Sequence, residues 1–187
     1  MRIFVALDID PAIRQRIAGF MLALRSQAPE CKWVSPESLH VTLKFIGEQP
    51  PERVEEIRHA LAAVRARPFP VAFRNFGFFP SAKSPRIFWL GVEAGDDLPR
   101  LAGNIEAVTA KFGVKNEIKY TPHLTLARER TRQTTEQRGK LADMLNAMAH
   151  QPVPEFGTMT AREFVLFESR LSPKGAEYTR IATYGLC

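Results

Sequence analysis

Apolar positions alternate or recur every three to four residues, dividing the chain into strands and helices in an order that comes round twice. Residues 2–8, RIFVALD, form an apolar run that predicts a buried strand. Asp10-Pro11 supplies a helix N-cap and a first-turn proline, and Ile13, Ile17, Met21 and Leu24 follow at helical spacing. Residues 40–45, HVTLKF, alternate as a strand does. Pro50-Pro51 then opens a second helix, with Val54, Ile57, Leu61 and Val64 on one face. A strand through Val71 and Phe73 follows, and residues 77–86, GFFPSAKSPR, read as a loop.

There the order restarts. Residues 86–92, RIFWLGV, predict a strand, and Leu98, Leu101, Ile105 and Val108 mark a helix. Residues 123–128, HLTLAR, form a second alternating hexad. A helix over 136–149 follows, with Leu141, Met144, Leu145 and Met148 as its stripe. The RIF strings are offset by 84 residues (2 to 86) and the hexads by 83 (40 to 123). Two matches at nearly one offset, with one element order between them, predict an internal duplication. Strands over 161–168 and 176–184, joined across Ser172-Pro173-Lys174-Gly175, close the chain. The expected architecture is α+β: residues 1–187 as a single domain of two interleaved, pseudo-symmetric lobes. Two antiparallel-rich sheets would face a central cleft, with helices on their outer faces.

Composition adds limits. The 187 residues are 45% apolar and 25% charged, as in ordinary soluble proteins, and the net charge of +6 favours an anionic partner. Cys31 and Cys187 are too few and too distant for a disulfide framework. Asp8 and Asp10 break the N-terminal apolar run too early for a signal peptide, and no stretch is long enough to cross a bilayer. A cytoplasmic monomer with no membrane partner is expected.

The hexads carry the candidate chemistry. Strand alternation places His40, Thr42 and Lys44 on one face, with Val41, Leu43 and Phe45 opposite; likewise His123 joins Thr125. A pseudo-twofold axis would turn the two polar faces toward one small group. Imidazoles titrate near pH 6.5, so one can act as base and another as acid. Threonine hydroxyls donate to non-bridging oxygens, and Lys44 adds a cation. Such a set suits phosphoryl chemistry without a metal. His59 and His150 lack a threonine two residues on, and both read as solvated or helix-end side chains. No zinc-ligand spacing, nucleophile elbow, P-loop or dinucleotide fingerprint occurs, so neither metal nor cofactor is expected.

The paired H-x-T-x hexads resemble those of the two-histidine (2H) phosphoesterase superfamily. RIFVALDI, SLHVTLKFIGE, SPRIFWLGV, PHLTLAR and Leu166-x-Glu168-Ser169-x-Leu171-x-x-x-Gly175-x-x-Tyr178 are similar to its RNA 2′,3′-cyclic phosphodiesterase branch, also called 2′-5′ RNA ligase-like. The resemblance implies a bilobal fold and metal-independent hydrolysis of RNA 2′,3′-cyclic phosphate termini to 2′-phosphomonoesters. The partners implied are RNA ends or nucleotides bearing that group, tRNA halves among the candidates. His40 would protonate the leaving 3′-oxygen, His123 would activate water, and Thr42 and Thr125 would hold the non-bridging oxygens. The opposite order of acid and base would give a 3′-phosphate. Arg128 matches an arginine that the family keeps for substrate. Strict alternation sets it opposite His123, unless the strand ends or bulges near Ala127. Phe4 is a candidate for base stacking or core, and Lys83 and Arg86 for the RNA backbone or a solvated loop. Two alternatives stay open: 2′-5′ ligation in the reverse direction, and a nucleotide- or RNA-binding module with little catalysis.

Overall fold

Two antiparallel sheets organise the chain. The computed structural model describes residues 1–29, 31–81, 84–113, 120–129, 154–172 and 175–187; the expected 136–149 helix, His150 and Lys83 lie outside them. The described elements are β1 (Arg2–Leu7), α1 (Pro11–Arg25), β2 (Lys32–Trp33), β3 (Val41–Glu48), α2 (Pro51–Leu61), β4 (Phe69–Ser81), β5 (Ser84–Glu93), α3 (Asp97–Thr109), β6 (His123–Arg128), β7 (Glu155–Ala161), β8 (Glu163–Ser172) and β9 (Gly175–Gly185). One sheet runs β3-β1-β8-β9, so the last strands of the chain pair back onto the first; the other runs β2-β6-β5-β4-β7.

The helices form where their apolar stripes and caps dictate. Asp10 caps α1 by accepting from the Ala12 N–H at 2.9 Å, a contact worth about 1 kcal/mol. Ile13, Ile17, Met21 and Leu24 are buried from α1, Val54, Ile57 and Leu61 from α2, and Leu98, Leu101 and Ile105 from α3. They share one core with Ile3, Val5 and Leu7 of β1 and with Val71, Leu90 and Leu124 of the second sheet. Each such side chain contributes about 1.5–3 kcal/mol of burial. The opposite face of β1 builds a smaller cluster of Phe4, Ala6, Val165 and Phe167, with Tyr178 against it. Phe4 is 1% exposed, so its role is packing and not base stacking.

The expected loop over 77–86 is a correction. β4 continues to Ser81 and β5 begins at Ser84, with Phe78 opposite Phe88 and Phe79 opposite Ile87. The aromatic residues that looked like loop decoration have cross-strand partners: the Phe78 and Phe88 rings stack at 5.0 Å. Gly77 is required there because the Trp89 indole occupies the space of a Cβ.

Strand pairing repeats residue for residue. In β1–β3, Phe4 pairs with Phe45, Val5 with Lys44, Ala6 with Thr42 and Leu7 with Val41. In β5–β6, Ile87 pairs with Arg128, Phe88 with Ala127, Trp89 with Thr125 and Leu90 with Leu124. Every residue of the first set maps onto the second at an offset of 83 (4 to 87, 45 to 128). The RIF strings, at 84, are one residue out of this register. They set Phe4 and Phe88 on opposite faces of their sheets, and their likeness is coincidental.

Candidate active site

A shared irregularity shapes both hexads. Between Thr42 and Lys44 the register with β1 slips at Leu43; between Thr125 and Ala127 the register with β5 slips at Leu126. Each slip is a bulge that reverses the facing of later residues. It turns Arg128 onto the face of His123 and Thr125, removing the parity difficulty. It also turns Lys44 the other way. Lys44, expected beside the histidine as a substrate-binding cation, lies on the core face, 1% exposed, with Nζ 2.6 Å from Glu106 Oε2 of α3. That is a correction: its charge ties β3 to α3 and does not face the site. Phe45, expected on the apolar face, stands instead beside Phe4, ring centroids 5.8 Å apart, and is 52% exposed. By register it is the counterpart of Arg128.

The two histidines are held alike. His40 Nδ1 lies 2.8 Å from the Ser38 carbonyl, and His123 Nδ1 lies 2.8 Å from the Thr121 carbonyl. A carbonyl only accepts, so each Nδ1 carries the proton and each Nε2 is left for chemistry. The His40 ring packs on Phe4 at 4.8 Å and meets the edge of Tyr178 at 5.0 Å, with Phe167 at 6.5 Å. His123 meets Phe79 edge-on at 5.0 Å. Thr42 and Thr125 are half-buried on the same faces.

These surroundings favour neutral imidazoles. Burial lowers the pKa of His40 to about 4, opposed by the Ser38 hydrogen bond and the Asp8 charge, and reinforced by Arg128 and Arg14. Burial likewise lowers that of His123, with Arg128 adding to it and the Thr121 hydrogen bond opposing. Burial raises the Tyr178 phenol, and Arg128 works against it. One guanidinium thus acts on both histidines and on Tyr178, which places Arg128 within electrostatic reach of both motifs. A direct tie joins the motifs as well. The Tyr120 hydroxyl, three residues before His123, donates to the Thr42 carbonyl at 3.0 Å, and burial raises its pKa, keeping it a donor.

Of the residues that the sequence names, the structure sets Thr42 and Thr125 half-buried in the same strands as their histidines' motifs, with Arg128 in electrostatic reach of both His40 and His123. Sequence reasoning missed Phe45, Tyr120, Asp8 and Arg14. Asp8 had registered only as a break in an apolar run; Tyr178 had appeared only within a matching string. A cavity of about 330 Å³ is lined by Ser35, Glu37, Ser38, Ala176, Glu177 and Tyr178, of which Ser38 and Tyr178 also contact His40. Among the described residues, no three His, Cys, Asp or Glu side chains come together as metal ligands. No described helix is long and apolar enough to cross a membrane.

The chain is similar to known proteins in sequence and fold. The family model of LigT-like phosphoesterases matches twice, over residues 7–89 and 90–178, once for each half of the repeat. An RNA 2′,3′-cyclic phosphodiesterase of Archaeoglobus fulgidus is 34% identical over 184 residues, covering 98% of this chain and 99% of that protein. One of Methanothermobacter thermautotrophicus is 33% identical over 190 residues, covering 100% and 99%. The crystal structure of E. coli LigT complexed with 3′-AMP superposes with a TM-score of 0.76 at 23% identity, over 99% of this chain and 97% of that one, a likeness of fold. With a family model spanning both halves and relatives a third identical from end to end, the chain belongs to the LigT-like phosphoesterase family.

Proposed function

We propose that this chain hydrolyses RNA 2′,3′-cyclic phosphate ends to 2′-phosphomonoesters, using His40 and His123 as acid and base. The observation that carries the reading is the matched pair: two half-buried imidazoles, each with Nδ1 engaged and with no partner for Nε2 among the described residues, each beside a threonine, both under the field of Arg128. Names borne by relatives a third identical over their whole length support the substrate class. Both histidines are neutral in the free site at neutral pH, because burial depresses them. An entering phosphodiester anion favours the charged imidazole, so substrate and proton arrive together at His40.

In this reading Thr42, Thr125 and Arg128 hold the non-bridging oxygens and the charge that grows on them in the pentacoordinate transition state. His123 Nε2 takes a proton from water as its oxygen attacks phosphorus. The bond to the ribose 3′-oxygen breaks, and His40 Nε2 gives that oxygen its proton. The 2′-phosphate remains, with one imidazole protonated for one deprotonated. Phe45 offers its exposed ring to the terminal base. The whole of 1–187 acts as one unit, because the His40 face is built from both ends of the chain. We take one cytoplasmic copy of the chain to be sufficient.

Phosphorus NMR of a short RNA ending in a 2′,3′-cyclic phosphate, incubated with the protein in EDTA, tests this. A 2′-phosphate is expected. A 3′-phosphate would reverse the two histidine roles, and an intact cyclic phosphate on bound RNA would leave a binding module.

A further inference from the structure

The turn before the first motif is held by a side chain that the proposed chemistry does not use. Arg14 lies in the first turn of α1, its backbone N–H on the Asp10 carbonyl at 2.9 Å. Its guanidinium leaves the helix for the segment Pro36–Leu39. Nη1 lies 2.7 Å from the Pro36 carbonyl, 3.2 Å from that of Glu37 and 3.1 Å from that of Leu39. Nη2 is bonded to the Asp8 carboxylate, which also takes Arg180. Arg14 is 20% exposed and engaged on every side by its own protein, so it is no substrate ligand.

One carbonyl of this segment is not turned to Arg14. It belongs to Ser38, and it accepts from His40 Nδ1 at 2.8 Å. Carbonyls converging from one short turn repel each other unless a cation gathers them, and a planar guanidinium fork does so with fixed geometry. Among the described residues the second motif has no copy of this device at the matching place. Gly91 stands there opposite His123, and a Cβ on it would lie 2.5 Å from the Arg74 carbonyl, so no carboxylate fits.

We propose that Arg14, anchored by Asp8, is a positioning residue for His40: by gathering the carbonyls of Pro36, Glu37 and Leu39 it aims that of Ser38 at Nδ1, and so fixes the tautomer that presents Nε2 to the phosphate. The kinetic part of this inference rests on the hydrolytic reading; the tautomer does not. The test compares full-length Arg14→Met and Arg14→Lys with wild type by long-range nitrogen–proton NMR of the imidazoles, and by kcat and KM on RNA ending in a 2′,3′-cyclic phosphate.

In Arg14→Met, His40 is expected to become a mixture of tautomers while His123 keeps Nδ1–H. A loss of about 10- to 100-fold in kcat is expected, typical of removing a group that orients a reacting one, with KM within about threefold of wild type. Arg14→Lys, which keeps the cation without the fork, falls between, and carries the test if the methionine variant does not fold. A folded variant with His40 tautomer and kcat both unchanged overturns the proposal. An equal disturbance at His123 overturns it too, since that would mean general loosening. Should wild type leave the cyclic phosphate intact, the hydrolytic reading fails while the tautomer measurement still decides the role of Arg14.

Discussion

The burial of His40 makes stability depend on pH in a window that one substitution isolates. The folded-state pKa is about 4, against about 6.5 for histidine in an unfolded chain. As pH falls below the unfolded value, the unfolded chain takes up a proton that the folded one refuses. Stability therefore drops with falling pH, and the drop ends once pH passes below the folded value. A gap of roughly 2.5 units corresponds to about 3 kcal/mol. His40→Gln removes the titrating group and leaves the other ionisable residues in place. Urea denaturation of both proteins at intervals from pH 7 to pH 4, at matched ionic strength, gives two stability curves. Wild type is expected to lose about 3 kcal/mol more than the variant across that range. Parallel curves would refute the desolvated state of His40, and with it the idea that substrate and proton arrive together.

Other consequences are as direct. Lys44→Met strips Glu106 of its cation; a loss of up to about 3 kcal/mol is expected, the low end for a buried pair because Glu106 keeps 24% exposure. Lys44→Met with Glu106→Leu should recover most of it in the same chemical denaturation. Tyr120→Phe removes the bond to the Thr42 carbonyl, costing about 1 kcal/mol of stability and lowering kcat with little change in KM. Phe45→Ala should weaken binding of a base-bearing cyclic nucleotide by about 1–3 kcal/mol, read by calorimetry. It should leave ribose 2′,3′-cyclic phosphate, which has no base, unaffected.

Repetition is what made the site legible. A single His-x-Thr in a strand says little, but two copies at one offset, inside the same order of elements, single out His40, Thr42, His123 and Thr125, which the strand register places at equivalent positions. The helices were legible because Ile13, Ile17, Met21 and Leu24, or Val54, Ile57 and Leu61, are buried on one face, as their spacing requires. What failed was alternation carried past the fourth residue of each hexad. Nothing local in HVTLKF announces the bulge at Leu43, because a bulge is a property of two paired strands and the partner β1 lies more than 30 residues away. Lys44 and Phe45 therefore exchanged faces relative to expectation. The hairpin at 77–86 was hidden for a similar reason: Gly, Pro and Ser signal a loop, while the cross-strand partners of Phe78 and Phe79 stand on another segment.

The structure also shows where a duplicated frame stops being symmetric, and hydrolysis of a cyclic phosphate needs such places. In the proposed reaction one oxygen enters from water and another leaves on ribose, so the two histidines would have to differ although their motifs and hydrogen bonds match. Register identifies the equivalent pairs that differ: Phe45 with Arg128, and Asp8 with Gly91. The first gives one side of the site an exposed ring and the other a guanidinium, so a nucleotide meets different chemistry on its two flanks. The second puts a carboxylate within electrostatic reach of His40. Its charge favours the protonated imidazole there, while Gly91, pressed against the Arg74 carbonyl, leaves no room for one at the matching position opposite His123. Burial lowers both imidazoles, that of His40 to about 4, and the Asp8 charge offsets only part of that cost. In the proposed reaction the product, a 2′- or a 3′-phosphate, reports which of these two unlike flanks carries the acid.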